Sequence, residues 1–100
     1  RHPEVALSRL LPLLEDDQAR AAAIDIFGGV GDVRAIPDLG GLMLGGRLGE
    51  DDLVHLAGAL GEIGGGEACR LLAQLRQALT PGQSALQQEI EIAVQAAHCE

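Results

Sequence analysis

The sequence predicts an all-helical fold built as a row of stacked helical hairpins, and three observations lead there. The chain repeats itself after thirty-three residues: Phe27-Gly28-Gly29-Val30-Gly31-Asp32 aligns with Leu60-Gly61-Glu62-Ile63-Gly64-Gly65. Gly28/Gly61, Val30/Ile63, Gly31/Gly64, Ala35/Ala68, Leu39/Leu72 and Leu42/Leu75 then fall into register without a gap. Self-similarity at such a period marks stacked-repeat architectures, whose surfaces are used for binding. The composition is 47 % hydrophobic but 1 % aromatic, so the core must come from Leu, Ala, Ile and Val. Ala and Leu favour helix, and β-branched residues are few. Finally, apolar residues recur at helical spacing between glycine-rich corners.

Pro3 to Glu15 reads as a first helix, with Val5, Leu7, Leu10, Leu11, Leu13 and Leu14 apolar and with Pro12 expected to kink or shorten it. Asp16 or Asp17 is placed to cap a second helix from Gln18 to Phe27, with Ala19, Ala22, Ala23, Ile26 and Phe27 inward. Gly28 and Gly29 are expected to end it. Asp32 suits the N-cap of a third helix, Val33 to Leu44, whose early Pro37 costs little. Gly40 and Gly41 weaken that helix by about 1 kcal/mol each relative to Ala, either as a tolerated cost or as room for a close neighbour. After Gly45, Gly46 and Gly49, the acids Glu50, Asp51 and Asp52 open a fourth helix that runs to Ile63. Gly64-Gly65-Gly66 forms a corner, and Glu67 to Leu79 a fifth helix with Leu71, Leu72, Leu75 and Leu79 inward. Thr80, Pro81 and Gln83 have the pattern of a capping box, starting a sixth helix that runs to about Cys99 with Leu86, Ile90, Ala93, Val94 and Ala97 inward. The order is a lone second-type helix, two hairpins, then a lone first-type helix. Neither hairpin can bury both of its apolar sides alone, and stacking removes that cost.

One hundred residues suit a single domain, 1–100, and the start at Arg1 reads as a piece of a longer chain. The net charge is −8, there is no lysine, and neither Tyr nor Trp occurs. Nucleic acids and anionic membranes are therefore disfavoured partners, and a basic or mixed protein fits better. No apolar run approaches the roughly twenty residues of a membrane span. Cys69 and Cys99 lack metal-type spacing, and Cys69 reads as a small buried apolar residue. Nothing in the sequence demands a disulfide, in keeping with a reducing cytoplasm.

The segments Ala21 to Met43 and Leu56 to Leu75 resemble HEAT-like repeats of the phycobilisome-lyase type. The likeness rests on Leu60-Gly61-Glu62-Ile63-Gly64 as the end of a first helix. It rests equally on Gly31-Asp32-Val33-Arg34-Ala35-Ile36-Pro37-Asp38-Leu39 as the corner and opening of a second. Pro3 to Asp17 resembles the second helix and acidic turn of a preceding repeat. The resemblance implies an α-solenoid, an α-α superhelix of about two full hairpins flanked by a half-repeat at each end. It also implies that the second helices line the concave, ligand-facing side. The exposed positions expected there are Glu4, Ser8, Arg9, Arg34, Asp38, Arg47, Glu67, Arg70, Gln74 and Gln77.

No catalytic constellation stands out. Asp51 and Asp52 lie about one turn before His55, which invites a metal reading. The related HEAT-like deoxyhypusine hydroxylases hold iron through His-Glu pairs, however, and His55 is followed by Leu56, His2 by Pro3 and His98 by Cys99. Cys99 and His98 diverge around a helix, as do Glu89 and Glu91, and the triple glycine lacks the strand and the Lys-Ser/Thr of a phosphate loop. Neither cofactor nor metal is expected. The function expected is that of a non-catalytic, bacterial-type, cytoplasmic interaction or scaffold module that binds a peptide or protein in the second-helix groove. The resemblance also leaves open an accessory subunit of a phycobilin lyase-type system that holds a tetrapyrrole, with Arg34, Arg47 and Arg70 for its propionates. A third reading is a spacer in a multidomain regulatory protein, and the exposed solenoid ends also allow a homodimer.

Overall fold

Leu- and Ala-rich segments separated by glycine corners give five α-helices among the residues that the computed structural model describes, 11–31, 33–46 and 48–99. They are α1 (Arg20–Val30), α2 (Ile36–Leu44), α3 (Glu50–Ile63), α4 (Gly65–Gln77) and α5 (Ser84–Ala96). Short 3-10 helices occupy Leu11–Glu15 and Val33–Ala35, and no strand occurs among the described residues. The all-helical expectation is met. The helical start at Pro3, the cap at Asp32, and Glu4, Ser8, Arg9 and Arg47 lie outside the described residues.

α3 is the centre of the molecule. It packs along α1 on one side and α5 on the other, and both α2 and α4 touch it. Arg20 meets Asp52, Asp25 meets His55 and Gly28 meets Ala59, so contacts between α1 and α3 join residues thirty to thirty-two apart. Gly58 meets Glu89 and Gly61 meets Ala93 in the same way between α3 and α5. Contacts that advance together along both helices mean parallel helices, spaced close to the sequence repeat.

Two glycines make this packing possible. A Cβ on Gly28 would lie 2.8 Å from Ala59 Cα, and one on Gly61 would lie 2.8 Å from Ala93 Cα. Each is a seat in which the next helix rests directly on backbone. Gly28 is therefore inside α1 and not its stop. The stop is Gly31, at φ 71°, whose N–H donates to the carbonyl of Phe27. The inward face of α1 shifts accordingly: Ala23, Ile24, Phe27 and Gly28 are buried, whereas Ala22 and Ile26 are exposed. Leu39, Leu56, Leu60, Leu72 and Ile90 complete the core with Phe27, the one aromatic residue.

Several local expectations change. Asp16 does not cap α1 with its side chain; it accepts the Gln18 N–H at 2.9 Å within the preceding turn. Arg20, the first residue of α1, is buried and fastens that turn to α3. Its Nε donates to the Leu14 carbonyl at 2.7 Å, and its amino groups reach Asp17 at 2.8 Å and Asp52 at 3.3 Å. Burial opposes the Arg20 charge most strongly of any single influence. The hydrogen bonds and charges of the two aspartates together outweigh it and hold the guanidinium above its ordinary pKa. The 64–66 corner is a single residue, Gly64, at φ 71°. Of the capping box only the link from the Thr80 N–H to Gln83 Oε1 forms, at 2.8 Å, and α5 begins at Ser84 instead of near Pro81.

The cysteines depart furthest from expectation, because Cys69 and Cys99 form a disulfide. α5 ends in a left-handed residue, His98 at φ 59°, with the Cys99 N–H donating to the Val94 carbonyl and the His98 N–H to that of Gln95. That is the hydrogen-bond pattern of a Schellman turn. It brings Cys99 back over α4, where Arg76 and Glu91 add an exposed ion pair between the same helices at 3.1 Å. Thirty residues separate the bonded cysteines. By the loop-entropy relation, a closure of that length contributes about 3–4 kcal/mol. Reduction with dithiothreitol should lower the melting temperature by about 10 °C or more. Cys99→Ser should melt as the reduced protein does and ignore the reductant; equal melting of the oxidised and reduced wild type would show that the bond does not hold α5.

Candidate functional site

α2 and α4 border a groove of about 640 Å³. Val33, Ile36, Pro37, Gly40, Gly41 and Leu44 line it from the α2 side, Gly64 from the corner, and Gly65, Gly66, Glu67 and Leu71 from α4. Val33 and Leu44 are 61 % and 77 % exposed at its two ends. A second groove, of about 380 Å³, runs on the other side of α2 between Leu14, Glu15, Pro37, Asp38, Gly41, Leu42 and Gly45. Pro37 and Gly41 border both, so α2 is a ridge between two apolar troughs. The larger volume falls within the range of ligand sites, which are mostly apolar with a few polar groups.

The expected site residues divide here. Arg34, Asp38, Glu67, Arg70, Gln74 and Gln77 are all exposed. Asp38 borders the smaller groove and Glu67 the larger, whereas Arg34, Arg70, Gln74 and Gln77 line neither. Arg70 reaches Glu67 at 3.2 Å. The apolar wall residues Val33, Pro37, Gly41 and Leu44 were not expected. Their signal is that Val33 to Leu44 is apolar around most of its circumference, more than one buried stripe requires. Phe27, the single aromatic residue, is buried and borders neither groove.

A third trough, of about 460 Å³, lies across α1, α3 and α5 and contains His55. The His55 ring is half-buried, and its Nδ1 lies 2.8 and 3.1 Å from the two carboxylate oxygens of Asp25. Its Nε2 is 3.9 Å from Asp51, one turn earlier on α3. The hydrogen bond to Asp25 is the main cause that raises the His55 pKa above 6.5; partial burial opposes it, and the charges of Asp25, Asp51 and Asp52 reinforce it. Glu62 and Glu89 border the same trough. His55 thus ties α3 to α1, an interaction invisible without knowing which helices touch. No group of three His, Cys, Asp or Glu placed to hold a metal occurs among the described residues.

Comparison with family models, with curated proteins and with solved structures gives no match to this chain. No described helix is long and apolar enough to cross a membrane.

A histidine with a raised folded-state pKa binds its proton more tightly in the fold than in the unfolded chain. Its stabilising effect is complete below 6.5 and is lost as pH rises through the raised value. Asp25→Asn should therefore move the NMR titration midpoint of His55 back toward 6.5. It should lower the melting temperature near pH 5.5 and leave it unchanged at about pH 9. An unmoved midpoint would show that the Asp25–His55 bond does not form in solution.

Proposed function

We propose that this protein is a non-catalytic interaction module, a HEAT-like stack of hairpins that receives a peptide or protein surface on the side lined by its second helices. The observation that carries this reading is the apolar groove between α2 and α4, with Val33 and Leu44 left exposed at its ends. Large apolar side chains exposed together around a concavity mark interaction sites more often than isolated ones do. The parallel seating of α1, α3 and α5 near the repeat spacing supports the stacked-hairpin part of the reading. The cytoplasmic expectation loses its basis once Cys69 and Cys99 are bonded, since such bonds persist chiefly in oxidising compartments.

Peptides selected for binding from a random display library test the proposal. Binding should fall by about tenfold or more with Val33→Asp or Leu44→Asp, which put a charge into an apolar contact. It should be unchanged by Ile92→Asp, an exposed position bordering the third trough. Peptides that ignore the first two substitutions and are lost with the third would overturn the assignment of this face.

A further inference from the structure

Inside this fold a helix glycine serves as the seat for a neighbouring helix: Ala59 rests on Gly28 and Ala93 on Gly61. α2 carries two further glycines. A Cβ on Gly40 would meet the methyl groups of Leu71 at 3.4 Å, so that position is filled from α4. A Cβ on Gly41 would meet nothing within 4 Å. Gly41 stands on the ridge between the two grooves, with Val33 and Leu44 exposed to either side along the helix. The charged residues that line the two grooves are Glu15, Asp38 and Glu67, all carboxylates, on a chain of net charge −8, and Arg70 beside them holds Glu67 in an exposed pair at 3.2 Å.

We infer that Gly41 is a third seat of the same kind, and that its occupant is a cationic amphipathic helix presented by a partner protein. This rests on the reading of the α2–α4 side as the docking face, and it names the partner's chemistry. A small residue of that helix sits on the Gly41 backbone, as Ala59 sits on Gly28. Aliphatic side chains one turn to either side enter the two grooves, the spacing at which anchors recur on one helix face. Lys or Arg residues toward its ends meet Asp38 and Glu67, where unlike charges orient the helix and like charges would repel it.

The test uses two fluorescein-labelled synthetic helices of about eighteen residues, long enough to hold helical structure in part. Each has Ala at its centre and Leu one turn to either side; one carries Lys on its polar positions and the other Glu. Anisotropy titrations against the whole chain should show the Lys peptide binding at least about tenfold more tightly than the Glu peptide, with affinity falling as salt is raised. Gly41→Leu should weaken the Lys peptide by about tenfold or more yet melt no lower than wild type, because Leu is the better helix former and the position is open. Asp38→Asn with Glu67→Gln, two exposed positions, should weaken it about threefold and flatten its salt dependence. Equal binding of both peptides, or full binding to Gly41→Leu, would overturn this inference. The docking face itself would stand in that case, provided library-selected peptides still depend on Val33 and Leu44. Failure of the designed and the selected peptides alike would overturn both.

Discussion

Helix axes ordinarily stand apart by the bulk of the side chains between them. In this protein α3 comes closer than that to both of its parallel neighbours, because Gly28 receives Ala59 and Gly61 receives Ala93 with backbone against backbone. Most of the structure follows from those two contacts. A core with a single aromatic residue and many alanines has little apolar volume to bury, so it must bring its helices close together to exclude water. Larger residues at the seats would push the helices apart and leave voids that Ala23, Ala57, Ala68 and Ala93 are too small to fill. The polar ties between α1 and α3, Arg20 to Asp52 and Asp25 to His55, lie along the same interface and fix its register. The disulfide then fastens α5 to α4 at the far end.

The same economy shapes the surface. α1, α3 and α5 use their small residues on one another, and the trough above them is edged by Asp25, His55, Glu62 and Glu89. α2 and α4 meet only lightly, and the space between them stays open and apolar. Each part of the molecule therefore has its own chemistry, because the close contacts are concentrated on α3. The α2–α4 side is lined mostly by apolar residues, with carboxylates at its edges.

Helix type and order were legible from composition and periodicity, and α3 keeps its expected bounds because three acids open it and Gly64 closes it. Glycine was harder to read. Gly28 and Gly29 have the look of a helix stop, yet neither is left-handed, and the backbone turns only at Gly31. What decides the role of Gly28 is Ala59, far away in the sequence and silent until the helices are placed. Non-local pairs share this property. Asp25 with His55, Arg20 with Asp52 and Cys69 with Cys99 depend on which helices touch, and their spacings carry no motif of their own. Of the residues that the resemblance to HEAT-like repeats puts forward, Asp38 and Glu67 border the grooves, whereas Val33 and Leu44 enter the sequence reading only as the two ends of the third helix.

The seats can be weighed directly, because Gly29 neighbours Gly28 on the same helix and would place its Cβ in open space. Alanine at either position gains the same helix propensity, so the difference between them isolates the contact with α3. Urea denaturation of Gly28→Ala, Gly61→Ala and Gly29→Ala is the measurement. The first two should lose about 1–3 kcal/mol through overpacking. The third should be neutral or gain up to about 1 kcal/mol. Equal stabilities for Gly28→Ala and Gly29→Ala would mean that α1 and α3 do not meet backbone to backbone, and the arrangement built on that contact would fall.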